Sequence, residues 1–164
     1  MTRAVVGMGS NLGDRIGALA AAAVELDRTP GVRVTDVSSI YESEPWGVAE
    51  QPAFANAVAV LEVALTPCEL LTECKRIEAL AGRVAGTRYG PRALDLDILL
   101  FGSEAVDEPE LEIPHPRLAE RDFVVTPLLE VLPGAGLPDG TPITREAATE
   151  GRVTGVLAGP DALR

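Results

Sequence analysis

Thr66-Pro67-Cys68-Glu69 is the feature that most narrows the folds open to this chain. A hydroxyl three residues ahead of a glutamate is a capping box, and Pro67 sits at the first helical position, where a missing N–H costs nothing. Leu70, Cys74, Ile77 and Ala81 then recur at helical spacing until Gly82 ends the run. A helix over 66–82 with one apolar face must pack against something. Upstream, residues 3–8 (RAVVGM) read as a strand, Gly9-Ser10-Asn11 as a turn, and 13–28 as a helix with Ile16, Leu19, Ala23 and Leu26 on one face. Residues 32–43, carrying Val32, Val34, Val37 and Ile40, and residues 53–65 read as two further strands. Downstream, the aperiodic stretch 83–93 leads into a strong strand, LDLDILLF.

Strand, helix, strand, strand, helix, strand is the order of a ferredoxin-like α+β sandwich, a βαββαβ core whose sheet is covered on one face by two helices. Extra short strands are expected near 104–113 and a C-terminal helical segment near 116–131, with no task for the residues after about 140. At 164 residues the chain suits one domain spanning 1–164. A fold of this kind hosts many functions and selects none.

Composition removes several classes of function. The N-terminus meets Gly, Ser, Asn and Asp too early for a signal peptide, and no apolar run reaches spanning length, so a cytoplasmic location away from membranes is expected. A net charge of -11 argues against nucleic acid as a partner, because a surface that tracks phosphates needs a basic field. Any phosphate site must therefore be local, which draws attention to Arg83, Arg88 and Arg92. Cys68 and Cys74 lie six apart on the predicted helix, roughly 9 to 10 Å between Cα atoms, too far for a disulfide. Both are expected to be reduced, buried and structural.

Period-2 alternation in the strand from Leu94 puts Asp95, Asp97, Leu99 and Phe101 on one face and Leu94, Leu96, Ile98 and Leu100 on the other. Two carboxylates thus point the same way, about 7 Å apart at Cα. Alone, Asp-x-Asp reads more simply as a solvated strand start. Just upstream, however, Arg88-Tyr89-Gly90-Pro91-Arg92 presents guanidinium groups beside the acids. Carboxylates hold Mg²⁺ through few ligands while arginine forks grip phosphate oxygens, and that is the equipment of phosphoryl transfer. Phe54 and Asn56 share a strand face from which a ring could stack on a flat heterocycle and an amide could bond its edge; a core Phe beside a capping Asn fits that segment as well. Phe123 reads most simply as core, and Trp46 sits in a Gly- and Pro-flanked loop as a lid or packing residue. His115, the one histidine, lies near Arg117 and Arg121.

Arg88-Tyr89-Gly90-Pro91-Arg92-Ala93-Leu94-Asp95-Leu96-Asp97-Ile98-Leu99 closely resembles the signature of the 6-hydroxymethyl-7,8-dihydropterin pyrophosphokinase family of folate biosynthesis. The likeness extends over about residues 1–135 through Gly9-Ser10-Asn11-Leu12-Gly13-Asp14, Gln51-Pro52 with Phe54 and Asn56, and Pro114-His115-Pro116-Arg117 through Phe123 and Pro127. It implies transfer of the β,γ-diphosphate of ATP to the hydroxymethyl oxygen of a dihydropterin, with release of AMP. It further implies two Mg²⁺ ions on Asp95 and Asp97, and Arg83 and Arg92 on the phosphates. Glu78, Arg88, Tyr89, Ile98, His115 and Arg121 would join those arginines along the nucleotide. Phe54 and Phe123 would sandwich the pterin, Asn56 would meet its amide edge, Asp95 would reach it, and Ser43 and Trp46 would line it. A monomer acting on small molecules is expected.

Three features depart from the family pattern. Tyr89 stands where Trp is frequent, Ala85 and Gly86 replace further basic residues, and Glu110 and Glu112 add negative charge near the nucleotide. A metal-dependent kinase moving only the γ-phosphate, or a ferredoxin-like binding module without catalysis, would reuse many of the same parts. The second of these has no need to keep both aspartates beside the arginine turn.

Overall fold

The computed structural model describes residues 1–45, 50–82 and 93–164. One antiparallel sheet contains β1 (Thr2–Ser10), β2 (Val32–Val37), β3 (Ile40–Ser43), β4 (Phe54–Val63), β5 (Asp95–Phe101) and β8 (Val153–Ala158). Its order is β5-β1-β4-β3-β8, with β2 also paired to β4. The first four positions reproduce the expected βαββαβ arrangement. A separate hairpin joins β6 (Val106–Glu108) to β7 (Leu111–Ile113). Three helices complete the described fold: α1 (Arg15–Arg28), α2 (Pro67–Leu80) and α3 (Asp122–Val131).

α2 is capped as its sequence requires: the Thr66 hydroxyl accepts the Glu69 N–H at 3.2 Å and the Glu69 carboxylate accepts the Thr66 N–H at 2.9 Å. Leu70, Cys74 and Ile77 of α2 join Leu19, Ala23 and Leu26 of α1 over one face of the sheet, against Val6, Ala57, Leu61, Leu96 and Ile98. The opposite face is covered in part by α3, whose Val124, Val125 and Leu128 pack on Val5, Val58, Leu99 and Leu100. The sheet is therefore flanked on both sides, and the site lies on the side where α3 covers only part of it.

Several expectations are corrected. The helix foreseen from residue 13 begins at Arg15 after the cap residue Asp14, and Ile16 is exposed rather than part of the apolar face; Ala22 is buried instead. The single strand foreseen over 32–43 divides at Ser38 and Ser39. The Ser38 hydroxyl accepts the Val58 N–H at 2.9 Å in place of a backbone carbonyl, while the Ser39 N–H turns to the Glu130 carboxylate at 3.0 Å. Of the two thiols, Cys74 is buried but Cys68 is exposed at the start of α2, with its thiol 3.2 Å from Glu108 Oε2. β8, from the stretch given no task, extends the sheet beyond β3.

Strict alternation also fails along β5. Val5 pairs with Leu100 and Val6 with Ile98, so Leu99 is an extra residue in the ladder, a β-bulge. The slip turns Leu100 to the α3 side beside Leu99 and sends Phe101 to the α1/α2 side, the reverse of its expected face. Asp95 and Asp97 precede the bulge and keep their shared face.

Candidate active site

A cavity of about 410 Å³ opens on the α3 side of the sheet, over the ends of β1, β4 and β5. Its floor is flat because β1 contributes Gly7 and Gly9 there. Gly9 lies between Asn56 and Asp95, and Gly7 between Val58 and Asp97. A Cβ on Gly9 would stand 3.5 Å from Asn56 Oδ1, and one on Gly7 3.4 Å from Leu99 Cδ1. Glycines in a strand interior weaken it and mark a place where something approaches the backbone closely.

One wall carries Phe54 and Asn56 from β4 and Ser43 from the neighbouring β3. Asn56 and Ser43 are buried, and the Asn56 amide donates to the Ser43 hydroxyl at 2.7 Å. That bond orients the amide and leaves its carbonyl oxygen beside the glycine floor. A second wall comes from residues 115–124, which supply His115, Arg117, Arg121 and Phe123. The Arg121 guanidinium carbon lies 5.6 Å from the Phe123 ring centroid, a cation–π distance. Asp95 and Asp97 face the space between the walls.

The bulge in β5 helps to place His115. An extra residue in a ladder leaves its backbone groups without a strand partner, and here the Leu99 carbonyl accepts the His115 N–H at 3.1 Å. The imidazole Nδ1 accepts the Arg117 N–H at 3.3 Å, so the proton of the neutral ring resides on Nε2. Burial pushes the imidazole down to about 4; Arg121 and Arg117 push the same way, and Glu112 opposes them. His115 is thus neutral at pH 7.

Of the residues singled out from sequence, Ser43, Phe54, Asn56, Asp95, Asp97, His115, Arg121 and Phe123 line this one cavity. Ile98 does not; it is buried among the residues under α1 and α2. Glu78 is likewise away from the lining, with a side chain 1% exposed. Its carboxylate accepts the Leu96 N–H at 2.8 Å and contacts the Lys75 ammonium at 3.2 Å, so it secures the outer edge of β5 between the two aspartates. Trp46, Arg83, Arg88, Tyr89 and Arg92 lie outside the described residues.

Sequence reasoning missed Gly7, Gly9 and Lys75, all of which line the cavity. Glycines two apart in a strand were a readable signal; a lysine on a mostly polar helix face was not. Among the described lining residues, Lys75, Arg117 and Arg121 are the cations, and Glu44 joins the two aspartates as an anion.

The sequence model of the 7,8-dihydro-6-hydroxymethylpterin-pyrophosphokinase family matches residues 5–133. This chain belongs to that family. Among its pyrophosphokinase relatives, the 2-amino-4-hydroxy-6-hydroxymethyldihydropteridine pyrophosphokinase of Methylorubrum extorquens is 44% identical over 133 residues, 81% of this chain and 84% of the relative. The enzyme of the same name from Pseudomonas aeruginosa is 45% identical over 138 residues, 84% of this chain and 85% of the relative. In fold, the chain resembles the crystal structure of a triple mutant of Plasmodium falciparum HPPK-DHPS, with a TM-score of 0.67 at 16% identity. That match covers 87% of this chain but only 40% of the longer one. No described helix is long and apolar enough to cross a membrane.

Proposed function

We propose that this pyrophosphokinase joins the hydroxymethyl oxygen of 6-hydroxymethyl-7,8-dihydropterin to the β-phosphorus of ATP, using the cavity between β4 and residues 115–124. The bond from the β-phosphorus to the α,β-bridging oxygen breaks, AMP leaves with that oxygen, and the hydroxyl proton is lost. Family membership supports the reaction, and one observation carries the assignment of the site. Two aromatic rings, a buried amide and two same-face carboxylates converge on a single cavity with a flat glycine floor.

Phe54 and Phe123 hold the pterin ring from the two walls, and the Asn56 carbonyl, oriented by Ser43, accepts a hydrogen bond from its amide edge. Arg121 neutralises phosphate oxygens, and His115 donates Nε2–H to the nucleotide without adding charge. Asp95 and Asp97 are hard oxygen donors on one strand face, a donor set suited to Mg²⁺ when phosphate oxygens complete the coordination. Two bound ions would neutralise and orient the triphosphate. Arg83, Arg88, Tyr89 and Arg92 complete the phosphate grip and Trp46 the pterin lining, as the family resemblance implies. Glu78 acts through β5 rather than on the nucleotide, and the protein works as a single-domain monomer.

Incubating the protein with ATP, Mg²⁺ and the dihydropterin and identifying the nucleotide product tests the reading. AMP is expected, together with loss of turnover when EDTA removes the metal. ADP would instead indicate γ-phosphate transfer, and turnover unaffected by EDTA would remove the metal from the account.

A further inference from the structure

We infer that residues 150–153 form a brace that positions Phe123 over the cavity, with Gly151 as the residue on which the ring rests. The segment lies beyond the 5–133 family match. It grips the start of α3 at several points. Asp122 N–H donates to the Glu150 carbonyl at 2.8 Å, Glu150 N–H to the Glu120 carbonyl at 2.9 Å, and Val153 N–H to Asp122 Oδ2 at 2.8 Å. Asp122 Oδ1 in turn accepts the Thr126 hydroxyl at 2.6 Å, and Arg117 pairs with Glu150. The same segment reaches the other wall, where the Arg152 carbonyl accepts the Glu44 N–H at 3.0 Å, next to Ser43. Both walls are therefore tied to one short stretch of chain.

Gly151 is the point of contact. Its φ is +62°, and a Cβ there would fall 2.2 Å from Phe123 Cδ1 and 2.5 Å from Cε1. Those are ring atoms with no flexible end to swing away, so any side chain at 151 displaces the ring. Without one, the ring settles on the glycine backbone, with the Arg121 guanidinium nearby.

This inference rests on the reading that Phe123 stacks on the pterin, and the test separates the two. Dissociation constants for 6-hydroxymethylpterin and for a non-hydrolysable ATP analogue with Mg²⁺ are measured for Gly151→Val, Phe123→Ala and the double variant, alongside melting curves. Gly151→Val should weaken pterin binding about tenfold or more, within the range of one lost stacking contact. ATP-analogue affinity should stay within about twofold. In the Phe123→Ala background the valine should add less than about twofold, because the ring it displaces is gone. Backbone strain at a positive φ acts equally in both backgrounds and appears in the melting curve. Wild-type pterin affinity in Gly151→Val, or an equal loss in both backgrounds, overturns the brace. Unchanged pterin affinity in Phe123→Ala overturns the stacking reading instead. If the valine variant does not fold, Gly151→Ala carries the same clash through its Cβ and is read in the same way.

Discussion

For single residues, the proposed function divides the cavity's side chains into those that meet the heterocycle and those that meet phosphate. Phe54 and Phe123 are half-buried rings that both line the cavity. Aromatic stacking on a nucleobase is worth roughly 1 to 3 kcal/mol per ring, or about tenfold to a hundredfold in affinity. Phe54→Ala and Phe123→Ala should each weaken the pterin by that factor and leave ATP nearly untouched; calorimetry showing equal loss of both ligands would make them core residues. His115 allows a second test, because it is the protein's one histidine and gives one imidazole signal by NMR. Its folded value of about 4 lies below the ordinary 6.5. The stability it contributes is therefore complete above pH 6.5 and is lost as pH falls from there through 4. The free protein's imidazole should titrate near 4, and bound ATP, being anionic, should raise that value. Titration near 6.5 in the free protein would contradict the burial on which its neutrality depends.

Among the elements, β5 has the most demanding task. It is an edge strand of the sheet, and an edge exposes a row of backbone N–H groups. The buried Glu78 carboxylate of α2 takes the Leu96 N–H from outside, directly between Asp95 and Asp97. Removing that acceptor leaves a buried donor unsatisfied at a cost of about 1 to 3 kcal/mol. Glu78→Ala should lower the urea midpoint accordingly and slow turnover by loosening the two aspartates. Glu78→Gln keeps an acceptor and should recover much of both. If Glu78→Ala changed ATP affinity alone and left stability intact, the nucleotide role suggested by family resemblance would stand and the structural one would fall. The Leu99 bulge belongs to the same strand: it frees the carbonyl that holds His115 and moves Leu100 under α3.

Over the chain as a whole the charge is -11, whereas the described cavity lining balances Lys75, Arg117 and Arg121 against Glu44, Asp95 and Asp97. Much of this architecture could be read from the chain because it depends on local patterns. The capping box at Thr66, the helical spacing through Ile77 and the alternation from Asp95 to Asp97 each act within a few residues, and the order of elements then dictates the sheet. Alternation within β5 puts Phe101 on the wrong face because the bulge is decided by pairing with Val5 and Val6, far away in sequence. Glu78 reads as an ordinary helix glutamate until β5 is laid beside α2. The stretch 150–153 has no periodicity, and its importance comes from hydrogen bonds to residues about thirty and a hundred positions earlier. The roles proposed for Phe123 in a ring sandwich and for His115 at the nucleotide rest on family resemblance, because spacing alone is silent about both.

The role proposed for Asp95 and Asp97 is to act at the transferring diphosphate through bound metal. Its most direct test is single-turnover transfer in Asp95→Ala and Asp97→Ala, with ATP, the dihydropterin and Mg²⁺ all saturating. Removing a group that neutralises phosphate charge should slow formation of the pterin diphosphate by roughly 10³-fold or more, with both variants still folded. A rate within about tenfold of wild type in either variant would contradict the account.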